Sequence, residues 1–189
     1  MFRILRKSLK TGIVTGQHDA SSASTPTVAG ESAEKARSFR RSLAIREVDS
    51  GSCNGCEMEM NALMNPVYDA ERFGMHIAAS PRHADALVVT GPVTVNMEKA
   101  LKDAYRATPD PKLVIALGDC ACDCGMFKGS YAVTGPVERH MPVDVKGPGC
   151  PPRPAEILQA LQTLMDSTRR LADQVRGLLS RSAQGDADA

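Results

Sequence analysis

The chain has 189 residues, of which 42% are hydrophobic, and a formal net charge of +1. This length and composition suit one domain with a hydrophobic core of its own. The balanced charge and an aromatic content of only 4% argue against nucleic-acid binding, which uses basic surfaces interleaved with aromatic side chains. No apolar run approaches the roughly 20 residues of a membrane span, and no secretory signal is recognisable. Six cysteines in such a chain favour metal binding over disulfides.

Residues 1–43 are predicted to form a basic, partly flexible N-terminal extension. Phe2, Leu5 and Leu9 share one face of a short predicted helix that arginine and lysine residues surround. Such a segment docks on a membrane surface or in the groove of a partner, or it is a solvated terminus; the sequence leaves these alternatives open. The stretch 17–34 is rich in serine, threonine, alanine and glycine, which is typical of a flexible linker.

Strand and helix patterns alternate between residues 44 and 181. Apolar runs predict strands over 43–48, 75–79, 85–90, 112–117 and 142–145. Helical spacing predicts helices over 56–64 and 96–107, and a last helix that begins at Pro154. This alternation indicates one α/β domain over 44–181 with a mainly parallel sheet. The small and acidic residues 182–189 are predicted to form a disordered tail.

Four of the six cysteines lie in three segments rich in glycine or proline, and each segment follows a predicted strand. Cys53 and Cys56 form a C-x-x-C motif, Cys120 lies in Gly-Asp-Cys, and Cys150 precedes two prolines. Because open α/β sheets bind ligands beyond the carboxyl ends of their strands, these loops can converge at one edge. Four thiolates from glycine-rich loops are typical of an iron–sulfur cluster, and a buried cluster indicates electron transfer.

Two other interpretations of the cysteines remain open. Structural zinc usually takes two compact cysteine pairs, whereas here only Cys53 and Cys56 are close in sequence. A redox dithiol would use the same pair but would leave Cys120 and Cys150 without a role. The spacing therefore favours the cluster over both alternatives.

Cys122 and Cys124 follow Cys120 at alternate positions. In an extended loop, alternate side chains point in opposite directions, so these three cysteines would not all ligate one metal. We therefore expect Cys122 and Cys124 to be small buried residues beside the site, with a second metal or a redox switch as the alternative.

Several motifs, taken in order, resemble one known family. They are Gly51-Ser-Cys-Asn-Gly-Cys56, Glu71-Arg-Phe-Gly74, Ser80-Pro-Arg-His-Ala-Asp85, Gly118-Asp-Cys120, and Pro142-Val-Asp-Val145 through to Pro154. This pattern covers about residues 43 to 165. It is similar to the small subunits of membrane-bound, energy-converting [NiFe] hydrogenases of the formate hydrogenlyase and hydrogenase-4 type. The 20 kDa (B) subunit of complex I, the NADH–quinone oxidoreductase, shares the pattern.

The resemblance implies a flavodoxin-like fold with helices on both faces of a mainly parallel sheet. It also implies one [4Fe–4S] cluster at the carboxyl edge of the strands, with Cys53, Cys56, Cys120 and Cys150 as its ligands. Cys124 falls where the family usually has glycine. The implied function is the relay of electrons between ferredoxin-like subunits and the [NiFe] site of a large partner subunit.

The first motif separates two branches of this family. Complex I subunits typically carry two adjacent cysteines there, whereas hydrogenase-type subunits have C-x-x-C, as this chain does. The alternatives are an N2-type cluster subunit of complex I and a hydrogenase-related complex without nickel. The implied partners are a large catalytic subunit, a ferredoxin-like iron–sulfur subunit and integral membrane subunits. The implied location is peripheral, on the cytoplasmic face of the inner membrane.

Three further residues are candidates for tuning the cluster or handling protons. Glu59 resembles a glutamate of the family motif, although an acidic residue near a helix N-terminus also has a purely electrostatic role. Arg82 and His83 lie in a loop after a candidate strand. A cation or an ionisable ring there could alter the cluster potential, or the loop could serve only to cap the next element.

Overall fold

A six-stranded sheet forms the centre of the protein, and two short strands pair beside it. The computed structural model describes residues 27–28, 39, 42–162 and 165. The strands of the large sheet are β1 (Thr27–Val28), β2 (Leu43–Asp49), β3 (Met75–Ile77), β4 (Ala86–Thr90), β6 (Leu113–Leu117) and β8 (Val145–Gly147). The small pair consists of β5 (Val93–Thr94) and β7 (Val133–Gly135). The α-helices of the described residues are α1 (Gly55–Leu63), α2 (Glu98–Ala107), α3 (Asp119–Asp123) and α4 (154–162).

The topology of the large sheet defines the fold class. Its strand order is β1-β8-β6-β4-β2-β3, and all neighbours from β8 to β3 pair in parallel. Only β1, at the edge, is antiparallel among the described strands of this sheet. Numbered along the chain, the five parallel strands lie in the order 2-1-3-4-5, which is the flavodoxin-like arrangement. The predicted flavodoxin-like α/β fold is confirmed.

Helices cover both faces of the sheet because its central strands are apolar on both faces. Every residue of β4 and β6 is buried, as is typical of parallel strands in the middle of an α/β domain. Met60 of α1 and Ile157 of α4 belong to the same core cluster as Val88. Leu101 of α2 belongs to a second cluster with Val89. Since successive strand residues point to opposite faces, the two clusters are the two layers of the core.

Two predicted strands have different boundaries in the structure. The strand predicted over 75–79 ends at Ile77. The strand predicted over 142–145 runs instead over Val145–Gly147. Asp144 explains this second difference, because its carboxylate Oδ2 accepts a hydrogen bond from the backbone N–H of Val114 at 2.8 Å. The side chain thus caps the start of the β6–β8 ladder, and regular pairing begins one residue later.

The segment predicted to be a flexible linker contributes the edge strand β1. Thr27 pairs with Lys146 and Val28 pairs with Val145. Both residues of β1 are β-branched, which favours extended structure. The amphipathic segment over 2–9 and the tail over 182–189 lie outside the described residues, so their predicted roles stay predictions. Among the described residues, no helix combines the length and the apolar character that a membrane crossing requires.

Replacement of Lys112 by methionine is expected to lower the free energy of unfolding by about 2 kcal/mol. The Lys112 ammonium donates to the carbonyl of Thr108 at 2.8 Å and to that of Tyr105 at 3.0 Å, so it caps the carboxyl end of α2. Its side chain is only 11% exposed, and methionine keeps the apolar stem while removing the donors. Urea unfolding of the full-length chain measures the effect, with the exposed Lys99→Met as the control. Equal losses in both variants would rule out the capping role.

Candidate functional site

The four predicted ligand cysteines line one cleft at the carboxyl edge of the sheet. Cys53 and Cys56 follow β2, Cys120 follows β6, and Cys150 follows β8. These three strands are parallel members of the same sheet, so their carboxyl ends meet at one edge. The other residues that line the cleft are Ser52, Gly55, Gly91, Asp119, Gly149 and Pro151. The fold therefore brings together thiols that lie almost 100 residues apart in sequence.

The cleft is buried on one side and open on the other. Cys120 is buried and Cys56 is half-buried, whereas Cys53 and Cys150 are exposed. All four are free thiols. A group held between them would be shielded by the sheet and α3 on one side and would face solvent, or a partner, on the other.

Glycines leave the space that the sulfur atoms need. A Cβ atom placed on Gly118, whose φ is +89°, would lie 2.6 Å from the sulfur of Cys56. A Cβ atom on Gly125, whose φ is +45°, would lie 3.2 Å from the sulfur of Cys120. The backbone N–H of Met126 donates a hydrogen bond to the sulfur of Cys120. Close backbone approach and N–H donors to sulfur are the features that an iron–sulfur site requires, so these residues fit such a group.

The spread of the thiols distinguishes a cluster from a single ion. Within residues 27–28, 39, 42–162 and 165, no three cysteine, histidine or acidic side chains converge closely enough to hold one metal ion. A zinc site would need its sulfur atoms at about 2.3 Å from one point. Four thiols around a common cleft, but not around a common point, suit a group of several atoms better than zinc.

Burial and the neighbouring negative groups keep the thiols of the cleft protonated in the absence of a cation. Burial, with smaller contributions from Glu57 and from the other three thiols, raises the pKa of Cys56 to about 12. Burial also raises the pKa of Cys120, and Cys150 and Cys53 add to the effect. Thiolates are the metal-binding form, so metal binding at this site must supply positive charge and release protons.

A polar network fixes the loop that carries the C-x-x-C motif. The Glu57 side chain is buried, and its Oε1 accepts hydrogen bonds from the hydroxyls of Ser52 and Thr90. Ser52 immediately precedes Cys53, Glu57 immediately follows Cys56, and Thr90 ends β4. The network therefore ties both ends of the motif to the central strand of the sheet.

Sequence reasoning did not find this network. Glu57 is an unremarkable acidic residue of a first helical turn by its sequence, and Thr90 lies 33 residues away. The other carboxylate oxygen of Glu57, Oε2, is buried without a hydrogen-bond partner in the described part of the chain. The one available signal was a carboxylate in the middle of a Cys-Glu-Met-Glu-Met run whose apolar neighbours predict a buried helix face.

The segment after Cys120 is helical, which corrects the prediction of an extended loop. Gly118 ends β6 with a positive φ, and the N–H groups of Ala121 and Cys122 both donate to its carbonyl. Cys122 is half-buried and its thiol donates to the carbonyl of Ala116, 3.6 Å away. Burial raises its pKa to about 11. Cys122 thus points into the core between α3 and the sheet, although the reason is helical geometry and not alternation.

Cys124 ends this helix in a conformation that favours glycine. It is buried, and its φ of +73° is in the left-handed region that residues with a Cβ atom rarely adopt. The family to which the sequence motifs point usually has glycine at this position, and the backbone explains that preference. The shape of the loop is therefore retained here despite the change of residue.

The three other predicted site residues do not join the cysteine cleft. Arg82 and His83 are exposed, in a short turn (Pro81–His83) that precedes β4. The cysteines lie beyond the opposite end of the strands, and a strand of five residues spans roughly 15 Å. Glu59 is half-exposed on α1, roughly 200° around the helix axis from Glu57. Their predicted roles in tuning or proton transfer gain no support from these positions.

The strand pair β5–β7 supports the cysteine loop and contacts a histidine. A Cβ atom on Gly51 would clash with the Thr94 side chain, so β5 packs directly against this loop. Thr134 of β7 donates to the carbonyl of Val93 at 2.9 Å. The hydroxyl can then accept only from His140, whose Nε2 lies 3.1 Å away and must carry the proton.

Stability is expected to fall below about pH 6.5 because of His140. Burial lowers its pKa, Lys102 and Arg139 act in the same direction, and Glu98 opposes them. The unfolded chain then binds the proton more strongly than the folded chain, so folding loses stability as the pH falls through the unfolded value. One proton accounts for at most about 1.4 kcal/mol per pH unit.

Thermal unfolding of the full-length chain between pH 7.5 and 5.5 tests this expectation. His140→Gln should flatten the decline in stability, whereas His76→Gln, at an exposed position, should leave it unchanged. An unchanged decline in His140→Gln would assign the pH dependence to other groups.

The fold and the cleft together define a flavodoxin-like domain with a four-thiol site at the carboxyl edge of its sheet. The family model of the NADH ubiquinone oxidoreductase 20 Kd subunit matches residues 53–164. The chain belongs to this family. The resemblance that the sequence motifs predicted is confirmed, and with it the expectation of a subunit of oxidoreductase complexes.

Relatives come from both branches of the family. The chain is 47% identical over 137 residues to the probable membrane-bound hydrogenase subunit mbhJ of Pyrococcus furiosus, covering 72% of this chain and 80% of the relative. It is 43% identical over 148 residues to formate hydrogenlyase subunit 7 of Escherichia coli, covering 76% and 58%. It is 43% identical over 111 residues to the corresponding subunit of the NADH-quinone oxidoreductase of Geotalea daltonii, covering 59% and 65%.

Solved structures support the same fold. A chain of the membrane-bound sulfane sulfur reductase, an archaeal respiratory membrane complex, superposes with a TM-score of 0.62 at 34% identity, covering 72% of this chain and 76% of that one. A chain of an NAD+-reducing [NiFe]-hydrogenase superposes with a TM-score of 0.51 at 20% identity, covering 66% and 92%. The second likeness bears on the fold alone.

Proposed function

We propose that Cys53, Cys56, Cys120 and Cys150 hold one [4Fe–4S] cluster, and that the chain relays electrons through it inside a membrane-associated oxidoreductase complex. The observation that supports this proposal is the convergence of four thiols on one cleft whose glycines leave room for sulfur. A bound cluster of this type supplies reversible one-electron chemistry. The roles of the surrounding residues follow from their positions.

The chain contributes three things to such a site. Cys120 and Cys56 place two of the thiols in the buried half of the cleft, away from water. The N–H of Met126 donates to the Cys120 sulfur and stabilises negative charge there. The Glu57 network holds the loop of Cys53 in place before any metal is bound. Burial and N–H donors of this kind set the potential at which a cluster accepts an electron.

The open side of the cleft is proposed to dock on a large catalytic subunit. Exposed apolar side chains surround this edge: Met126 is 80% exposed and belongs to the loop whose N–H binds the Cys120 sulfur. Met58 is 63% exposed on α1, directly after the C-x-x-C motif, and Val95 follows the strand that packs on Gly51. A partner that covers this edge removes apolar surface from water and shields the exposed thiols Cys53 and Cys150.

We propose that the large partner is of the [NiFe] hydrogenase type, that a ferredoxin-like subunit exchanges electrons with the chain, and that integral membrane subunits anchor the complex. The C-x-x-C spacing and the 47% identity to the probable membrane-bound hydrogenase subunit support this assignment. The chain itself would sit peripherally, on the cytoplasmic face of the membrane.

A second candidate is a related complex without nickel. The 34% identical solved relative belongs to a complex named for sulfane sulfur reduction, so identity at this level does not fix the substrate of the complex. A quinone-linked complex of the complex I type is the third, supported by the relative from Geotalea daltonii. Nickel analysis of the purified complex separates the first candidate from the other two.

Serine at position 150 is expected to remove about four iron atoms per chain and to abolish electron transfer through the complex. Serine at position 122 is the matched control, because Cys122 bonds to a core carbonyl and faces away from the cleft. The measurement is the iron content, together with the rate at which the purified complex reduces a viologen dye. Intact iron and rate in Cys150→Ser, or equal losses in the two variants, would refute the ligand assignment.

A further inference from the structure

The loops of Cys120 and Cys150 come from different strands, and the regular sheet ends before either cysteine. The last paired residues of β6 and β8 are Leu117 and Gly147. The N–H of Gly118 then donates to the carbonyl of Gly147 at 2.7 Å. Pro148 has no N–H, so the ladder cannot continue through it. Another contact must hold the two loops together beyond this point.

Asp119 supplies that contact with two hydrogen bonds to one residue. Its backbone N–H donates to the carbonyl of Gly149 at 2.8 Å. Its carboxylate Oδ1 accepts from the N–H of Gly149 at 2.7 Å. Asp119 directly precedes Cys120, and Gly149 directly precedes Cys150. The pair of bonds therefore closes a ring between the two loops, one residue before each thiol.

Gly149 needs such a restraint because its own conformation is unusual. Its φ is +136°, and a Cβ atom there would lie 2.7 Å from the Cα atom of Pro152. Glycine is the most flexible residue of an unfolded or loosely held loop. The acceptor on Asp119 fixes the direction of the Gly149 peptide, and with it the direction in which Cys150 leaves the turn.

The charge of Asp119 opposes the chemistry of the site, which leaves geometry as its contribution. The carboxylate lines the cleft and is one of the groups that disfavour the thiolate of Cys120. Asparagine would remove that repulsion and keep the oxygen that accepts the bond, whereas alanine would remove both. The two substitutions thus share the loss of charge and differ in the loss of the hydrogen bond.

We propose that Asp119 is a positioning residue whose hydrogen bonds to Gly149 set the separation of Cys120 and Cys150 for the bound cluster. This inference rests on the proposed function for its consequence, but the clamp itself is a property of the folded chain. The test therefore has one measurement that depends on the cluster and one that does not.

The first measurement is hydrogen exchange of the full-length chain, followed by mass spectrometry over residues 145–150. Asp119→Ala should speed the exchange of this segment about tenfold relative to the native chain, and Asp119→Asn should leave it unchanged. Asp103→Ala is the control, since Asp103 is exposed on α2. If the alanine variant does not accumulate, Asp119→Ser replaces it, because its hydroxyl ends one bond short of the Oδ1 position.

The second measurement is the rate at which the purified complex loses iron to a chelator. The alanine variant should lose the iron bound by this chain about tenfold faster than the native complex, and the asparagine variant should match the native rate. Native exchange and native iron loss in Asp119→Ala would overturn the proposal. So would equal defects in Asp119→Ala and Asp119→Asn, which would assign the effect to charge. A native complex with no iron on this chain would refute the proposed function, and the exchange measurement would still decide the clamp.

Discussion

Alanine at position 118 is expected to prevent the chain from holding its cluster. The new Cβ atom would lie 2.6 Å from the sulfur of Cys56, well inside van der Waals contact, and φ at this position is +89°. The sulfur cannot move away without leaving the position from which it ligates, because Cys56 is fixed at the start of α1. We expect iron bound by this chain to fall at least about tenfold in the purified complex.

Gly129→Ala is the matched control for this substitution. Gly129 has φ +83°, almost the same as Gly118, but a Cβ atom there would meet no other atom within 4 Å. Both variants therefore carry the cost of a left-handed alanine, about 1–2 kcal/mol, and only Gly118→Ala crowds a ligand. Equal iron contents in the two variants would show that Gly118 has no role in making room for the sulfur of Cys56.

Alanine at position 57 is expected to lower the free energy of unfolding by about 3 kcal/mol, mainly because it removes the acceptor for two hydroxyl groups. Thr90 is fully buried, so its hydroxyl would lose a partner that water cannot replace. Thr90 also lies 3.1 Å from the carboxyl oxygen of Glu47, whose pKa is raised mainly by burial. A hydroxyl donates one proton only, so Glu47 cannot take over the role of Glu57 unless its own carboxyl is ionised and moves closer.

The companion variant is Glu59→Ala, two residues along the same helix. Glu59 is half-exposed and should lose no more than about 0.5 kcal/mol. Chemical unfolding of the full-length chain gives both values. A loss in Glu57→Ala as small as that in Glu59→Ala would mean that the buried network does not hold the C-x-x-C loop.

The sequence predicts the ligand set because each cysteine follows a strand. Once β2, β6 and β8 are known to be parallel, their carboxyl ends must meet, and glycines next to each thiol indicate a close approach of backbone. The fold class follows from the same alternation of strands and helices. These inferences need only local patterns and one topological rule.

The supporting residues could not be found in that way. Glu57 and Thr90, or Asp119 and Gly149, are about 30 residues apart and meet only because of the strand order. The helix after Cys120 depends on the left-handed turn at Gly118, which has no distinctive local pattern. A loop position also carries no information on which end of a strand it occupies in space, and for that reason Arg82 and His83 were placed near the cluster by sequence and far from it by structure.

The most direct test of the central claim compares the native complex with its Cys120→Ser variant. Both are purified without oxygen and analysed for iron, acid-labile sulfide, zinc and nickel, and their reduced forms are examined by low-temperature EPR. The account predicts that the variant lacks about four iron atoms, about four sulfides and one [4Fe–4S] signal that the native complex contains. Identical iron and identical EPR signals in the two complexes, or zinc in place of iron at this chain, would contradict it.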